Sequence, residues 1–99
     1  MSKNLDKQRS DDLYKAILKL ESLEECKDFF DDLCTWQELI SMEQRYNVAV
    51  CLRKGMIYND ILAQTGASSA TISRVNRSLR NGKNGYEAVF DRLGIKEEK

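Results

Sequence analysis

The chain has 99 residues, of which 41% are apolar and 32% charged, the size and make-up of one modest hydrophobic core. Sixteen Lys and Arg balance sixteen Asp and Glu, which excludes a globally basic nucleic-acid binder and an acidic tail protein. No 18-residue apolar stretch is present to span a membrane, and polar Met1–Arg9 leads into no signal-peptide run.

Proline and histidine are both absent. The first absence favours a nearly all-helical chain. The second removes the commonest general base and metal ligand. Three cysteines, Cys26, Cys34 and Cys51, have no metal-type spacing and no export signal, so they are read as reduced thiols of a cytoplasmic protein. A cysteine nucleophile without histidine is a poor catalyst. Asp11–Asp12 and Asp31–Asp32 are sequence neighbours, so on a helix they point about 100° apart and form no acid–base pair. No enzyme is expected, and neither a cofactor nor a metal site.

Apolar spacings of three and four at Leu13, Tyr14, Ile17, Leu18 and Leu20 predict a first helix over about 10–21. Ser22 and Glu25 form a capping-box pattern. It opens a second helix that turns Leu23, Cys26, Phe29, Phe30 and Leu33 inward and ends near Cys34. Thr35 and Glu38 repeat the pattern, and a third helix runs to Lys54 with Gly55 as its stop. Its apolar positions are Leu39, Met42, Tyr46, Ala49, Val50 and Leu52. Such a rod is about 30 Å long, long enough to cross the monomer or to be covered by a second chain.

Short helices follow: Tyr58–Thr65, a tight Gly66–Ala67 connection, then Ser68–Leu79 with Ile72, Val75 and Leu79 inward. Gly82 and Gly85 bracket a hinge. A last helix carries Tyr86, Val89, Phe90 and Leu93 and stops at Gly94, and the charged tail 96–99 is expected to fray. The chain divides into dimerisation and core helices (1–55), a helix-turn-helix (56–80), and the hinge, last helix and tail (81–99), all within one helical domain.

Two short helices joined by glycine are the helix-turn-helix pattern. The charge distribution singles out the same segment. Residues 1–34 hold six basic and nine acidic side chains, whereas residues 61–86 hold Arg74, Arg77, Arg80 and Lys83 and no acid at all. Before them stand Ser68, Ser69, Ala70, Thr71 and Ser73, small side chains that admit close backbone approach and bring hydroxyls to phosphates or base edges. One serine suffices for a helix cap; five small residues in six positions exceed that need. These nine residues with Asn76 form the expected DNA-binding set. The arginines and Lys83 hold phosphates, and Ser69, Thr71, Ser73 and Asn76 face the groove. The alternative is a protein-interaction module of a transcription or replication complex built on the same fold.

Gly66–Leu79, reading GASSATISRVNRSL, resembles the recognition segment of the tryptophan repressor superfamily, nearest to its YerC/YecD-like branch. The resemblance covers roughly Leu33 to Leu93 and includes Thr35, Arg45, Gly55, Gly66–Ala67, Ala70–Thr71–Ile72 and Arg74. The GYxxxF pattern at Gly85, Tyr86 and Phe90 belongs to the branch. It implies a multi-helix all-α fold, an interlocked homodimer on double-stranded DNA, and a transcriptional regulator of repressor type. It also implies Thr35, Arg45, Arg74 and Ser78 as candidate effector-binding positions, where two guanidinium planes can sandwich an aromatic ring. The repressor has glycine after the second arginine, where this chain has Val75. A branched side chain there fills indole space, which disfavours tryptophan as corepressor.

Overall fold

The computed structural model describes residues 9–98. Those residues form six α-helices: α1 (Asp12–Ile17), α2 (Leu23–Leu33), α3 (Trp36–Arg53), α4 (Tyr58–Thr65), α5 (Ser69–Asn81) and α6 (Gly85–Leu93). The chain separates into two compact units, 1–36 and 37–99.

The first unit carries α1 and α2. Helix α1 is shorter than its periodicity predicts. After Ile17 the hydrogen bonds tighten to three-residue spacing, Lys19 N–H to the Ala16 carbonyl and Leu20 N–H to that of Ile17. Ser22 then takes an extended backbone, φ −149° and ψ 162°, to cap α2. Helix α1 ends at Ile17, and residues 18–21 connect it to that cap. Ser22 Oγ accepts the Glu25 N–H at 3.0 Å. The Glu25 carboxylate reaches back one residue further than a standard capping box, accepting the Glu21 N–H at 2.9 Å. Phe29 and Phe30 meet edge to face at 5.7 Å. The predicted inward positions are not enclosed within the single chain: Leu23 is 77% and Leu33 51% exposed, and neither helix has a buried residue.

The second unit has a single core of Val48, Ala49, Cys51, Ile61, Ala67, Ile72, Val75 and Phe90. Every element from α3 to α6 contributes, and the turn between α4 and α5 adds Ala67. Val48 and Cys51 lie off the apolar stripe that periodicity picks out along α3, yet both are buried. The C-terminal half of α3 is packed by α4, α5 and α6 together, so burial extends over more than one stripe.

Gly55 ends α3 with φ +81°. Gly55 N–H bonds the Leu52 carbonyl and Met56 N–H that of Cys51, the paired closure that a left-handed residue allows. Gly94 (φ +76°) ends α6 in the same way, through Asp91 and Phe90. Arg53 ties α3 to α6 and the tail. Its guanidinium lies 5.4 Å from the Phe90 ring centre, bonds Asp91 Oδ1 at 2.8 Å, and donates through Nε to the Ile95 carbonyl at 3.0 Å. The Glu98 N–H returns to the Arg53 carbonyl at 3.1 Å. The tail expected to fray is therefore held as far as Glu98, because α6 delivers it onto the exposed carbonyl end of α3.

Candidate nucleic-acid interface

Helix α4, the glycine turn and α5 form the helix-turn-helix. Gly66 takes φ +74° and its N–H closes on the Leu62 carbonyl at 2.9 Å. The turn is locked on both sides. Thr65 Oγ1 donates to the Ile61 carbonyl at 2.7 Å and accepts the Ala67 N–H at 3.2 Å. Gln44, reaching from α3, donates to the Thr65 carbonyl at 3.2 Å. Ala67 is 1% exposed, so the turn is anchored in the core and the angle between α4 and α5 is set by packing.

Ser68 caps α5. Its Oγ accepts the Thr71 N–H at 3.1 Å and its hydroxyl donates to Thr71 Oγ1 at 3.1 Å. Both hydroxyls are thus employed in the cap, and Thr71 is half-buried. Ile72 and Val75 turn inward. The opposite face presents Ser69, Ala70, Ser73, Arg74, Arg77 and Arg80, all exposed, and Lys83 follows, also exposed. No acidic side chain lies on α5, so that face has no internal counterion.

Asn76 stands apart from the predicted groove-facing residues. It is half-buried, and its Nδ2 donates to the Tyr58 hydroxyl of α4 at 3.2 Å. Sequence reasoning did not select Tyr58; an aromatic at the first position of a short helix carries no signal of a partner eighteen residues away.

The candidate effector residues are distributed differently. Thr35 belongs to the first unit. Arg45 is exposed on α3 and donates to Ser41 Oγ at 3.4 Å, one turn earlier on the same helix. Arg74 is exposed on α5. Ser78 lines a cavity of about 320 Å³ with Arg53, Asn76, Arg80 and Glu97 among its walls, and an apolar one of about 510 Å³ with Tyr46, Lys83, Tyr86 and Val89. Val75 is 2% exposed in the core and lines neither of these cavities. Its bulk acts first on core packing.

An all-helical chain with a glycine-turned helix pair and a cationic, acid-free second helix defines a helix-turn-helix protein. Residues 8–94 match the Trp repressor protein family, and the chain belongs to that family. The match reaches closer to the N-terminus than the Leu33–Leu93 span that carries the motifs. The chain is 53% identical over 83 residues to the uncharacterized protein YerC of Bacillus subtilis (strain 168), covering 84% of this chain and 80% of that one. Two crystal structures share the fold. One is a Trp-repressor candidate from Staphylococcus aureus, with TM-score 0.88, 46% identity, and coverage of 95% of this chain and 97% of that one. The other is a TrpR-like protein from Eubacterium eligens ATCC 27750, with TM-score 0.87, 50% identity, and coverage of 94% and 99%. The family is regulatory, not enzymatic. No helix among the described residues is long and apolar enough to cross a membrane.

Proposed function

We propose that the chain is a sequence-specific DNA-binding transcriptional regulator, a repressor, that works as a homodimer in the cytoplasm. The observation that carries this reading is α5 itself. It is fixed to the core through Ile72 and Val75, and its opposite face offers Arg74, Arg77 and Arg80 with no carboxylate to neutralise them. Duplex DNA is the partner that such a face fits, because each neutralised phosphate releases a condensed counterion.

The N-terminal half of α5 supplies the close approach. Ser69, Ala70 and Ser73 are small and exposed, and they suit the groove, where base edges carry the sequence information. Arg74, Arg77, Arg80 and Lys83 flank them and suit the phosphates. Ser68 and Thr71 contribute by capping the helix. The dimer follows from exposure: Leu13, Leu18, Leu23, Leu33, Trp36 and Ile40 are between 39% and 82% exposed in the single chain. A second copy that covers them supplies the burial that α1 and α2 lack.

Selection of bound duplexes from a random library at physiological salt tests the reading. A two-fold symmetric motif is the expected result, since a symmetric dimer presents two copies of α5. An unenriched library would overturn it in favour of a protein-docking role for the same head.

A further inference from the structure

The bond between Tyr58 and Asn76 crosses the helix-turn-helix on its outer surface, and its polarity matters. The Asn76 amide is the donor and the Tyr58 Oη the acceptor, at 3.2 Å. A phenol has one hydrogen of its own to give. That hydrogen is not used in this bond, and the Asn76 amide is the one hydrogen-bond partner of the Tyr58 hydroxyl among the described residues. Tyr58 is 37% exposed. The side chain is thus a surface donor whose oxygen is held by a neighbour and whose hydrogen is left free by that bond.

Its position is set by α5. Around that helix Asn76 lies about 40° from Arg80 and about 60° from Ser73, both exposed. Tyr58 is therefore drawn to the flank of α5 that carries a cation and a small hydroxyl. Asp60 is the acidic residue in the first turn of α4, and it lies about 200° around that helix from Tyr58, on the far side. A neutral donor near a guanidinium matches a phosphodiester oxygen; Glu87 and Glu97 line the cavity beside Asn76 and Arg80, and Tyr58 does not line it. Tyr58 stands on the first helix of the pair, the one that crosses the sugar–phosphate backbone while the second enters the groove.

We propose that Tyr58 is a phosphate contact of the DNA interface and that Asn76 is its positioning residue, acting through the Tyr58 hydroxyl. The inference rests on the DNA-binding reading above. It gives Asn76 a role in holding Tyr58 in place of a role on base edges. The amide bond fixes the phenol before DNA arrives, so less rotamer freedom is lost on binding.

Binding isotherms for wild type, Tyr58→Phe, Asn76→Ala and the double variant test it, on the selected duplex and on an unrelated one, at three salt concentrations. Tyr58→Phe keeps the ring and removes the donor. It should weaken both duplexes by about tenfold, as expected for losing a hydrogen bond to a charged group, and leave the salt slope unchanged because no charge is lost. Asn76→Ala should weaken both, and in the Tyr58→Phe background it should add about twofold at most, because it acts through the missing hydroxyl. The thermal midpoint of Tyr58→Phe should stay within about 1–2 °C of wild type, since the altered group faces solvent. Wild-type affinity in Tyr58→Phe, or a loss confined to the selected duplex, overturns the proposal while leaving the DNA-binding reading intact. A wild type that binds neither duplex overturns both.

Discussion

Arg80 and Ser73 are both exposed and lie on one side of α5, yet their chemistry separates them. A guanidinium replaces condensed counterions at a phosphate, whereas a hydroxyl bonds without changing the ion count. Arg80→Ala or Lys83→Ala should therefore weaken every DNA sequence about equally and lower the salt slope by about 1 for each phosphate no longer neutralised. Ser73→Ala should leave the slope unchanged and cost about 1–3 kcal/mol on the preferred sequence only. Isotherms at three salt concentrations separate the two. Equal slopes and equal losses for Arg80→Ala and Ser73→Ala on all sequences would contradict the assignment. At this scale the cations were legible in the sequence, because an acid-free window needs only counting. Asn76 was not: its place depends on Tyr58, which comes from another helix.

Helix α5 owes its ends to two unlike devices. Ser68 starts it by accepting the Thr71 N–H. Gly82 finishes it, its N–H bonded to the Ser78 carbonyl at 2.9 Å. A Cβ on Gly82 would stand 2.3 Å from that same carbonyl oxygen. The obstacle is backbone and cannot swing aside, so Gly82→Ala must displace the exit of α5 and with it Lys83. A loss of about 1–3 kcal/mol in urea unfolding is expected. Gly85 is the control: a Cβ there meets nothing within 4 Å, and Gly85→Ala at the start of α6 should be neutral or slightly stabilising. Equal effects from the two substitutions would refute this account of the hinge. The two glycines look alike in sequence, and only the folded exit distinguishes them.

For the whole molecule, the contrast between the two units governs the expectation. The second unit encloses Val48, Ile61, Ile72 and Phe90 completely. The first encloses no side chain among the described residues, while Leu18 and Leu23 are 82% and 77% exposed. Large apolar side chains left in water forfeit about 1.5–3 kcal/mol each, a strong drive for a second copy to cover them. Light scattering at micromolar protein should accordingly return twice the 11.4 kDa chain mass. A monomer mass that persists on concentration would contradict the interlocked dimer. Leu18→Glu together with Leu23→Glu should shift the equilibrium toward monomer, by placing charge where burial is needed.

Short-range rules in the sequence were enough for several features of this chain. Tyr58–Thr65 forms the helix that its spacing predicts. Ser22 and Ser68 cap where their hydroxyls fall, and Gly55, Gly66 and Gly94 take the positive φ that ends a helix. The family was also legible, because the recognition segment and the GYxxxF pattern are local strings. Tertiary structure decided the rest. It buried Val48 and Cys51 because three helices close over the end of α3. It pinned the tail because Arg53 meets Phe90, Asp91 and Ile95. Caps and turns depend on atoms a few residues apart, so the sequence states them directly. Which face is covered, and which polar side chain finds a partner, depends on residues brought together from 18 to 42 positions away, and only the packed chain makes those meetings.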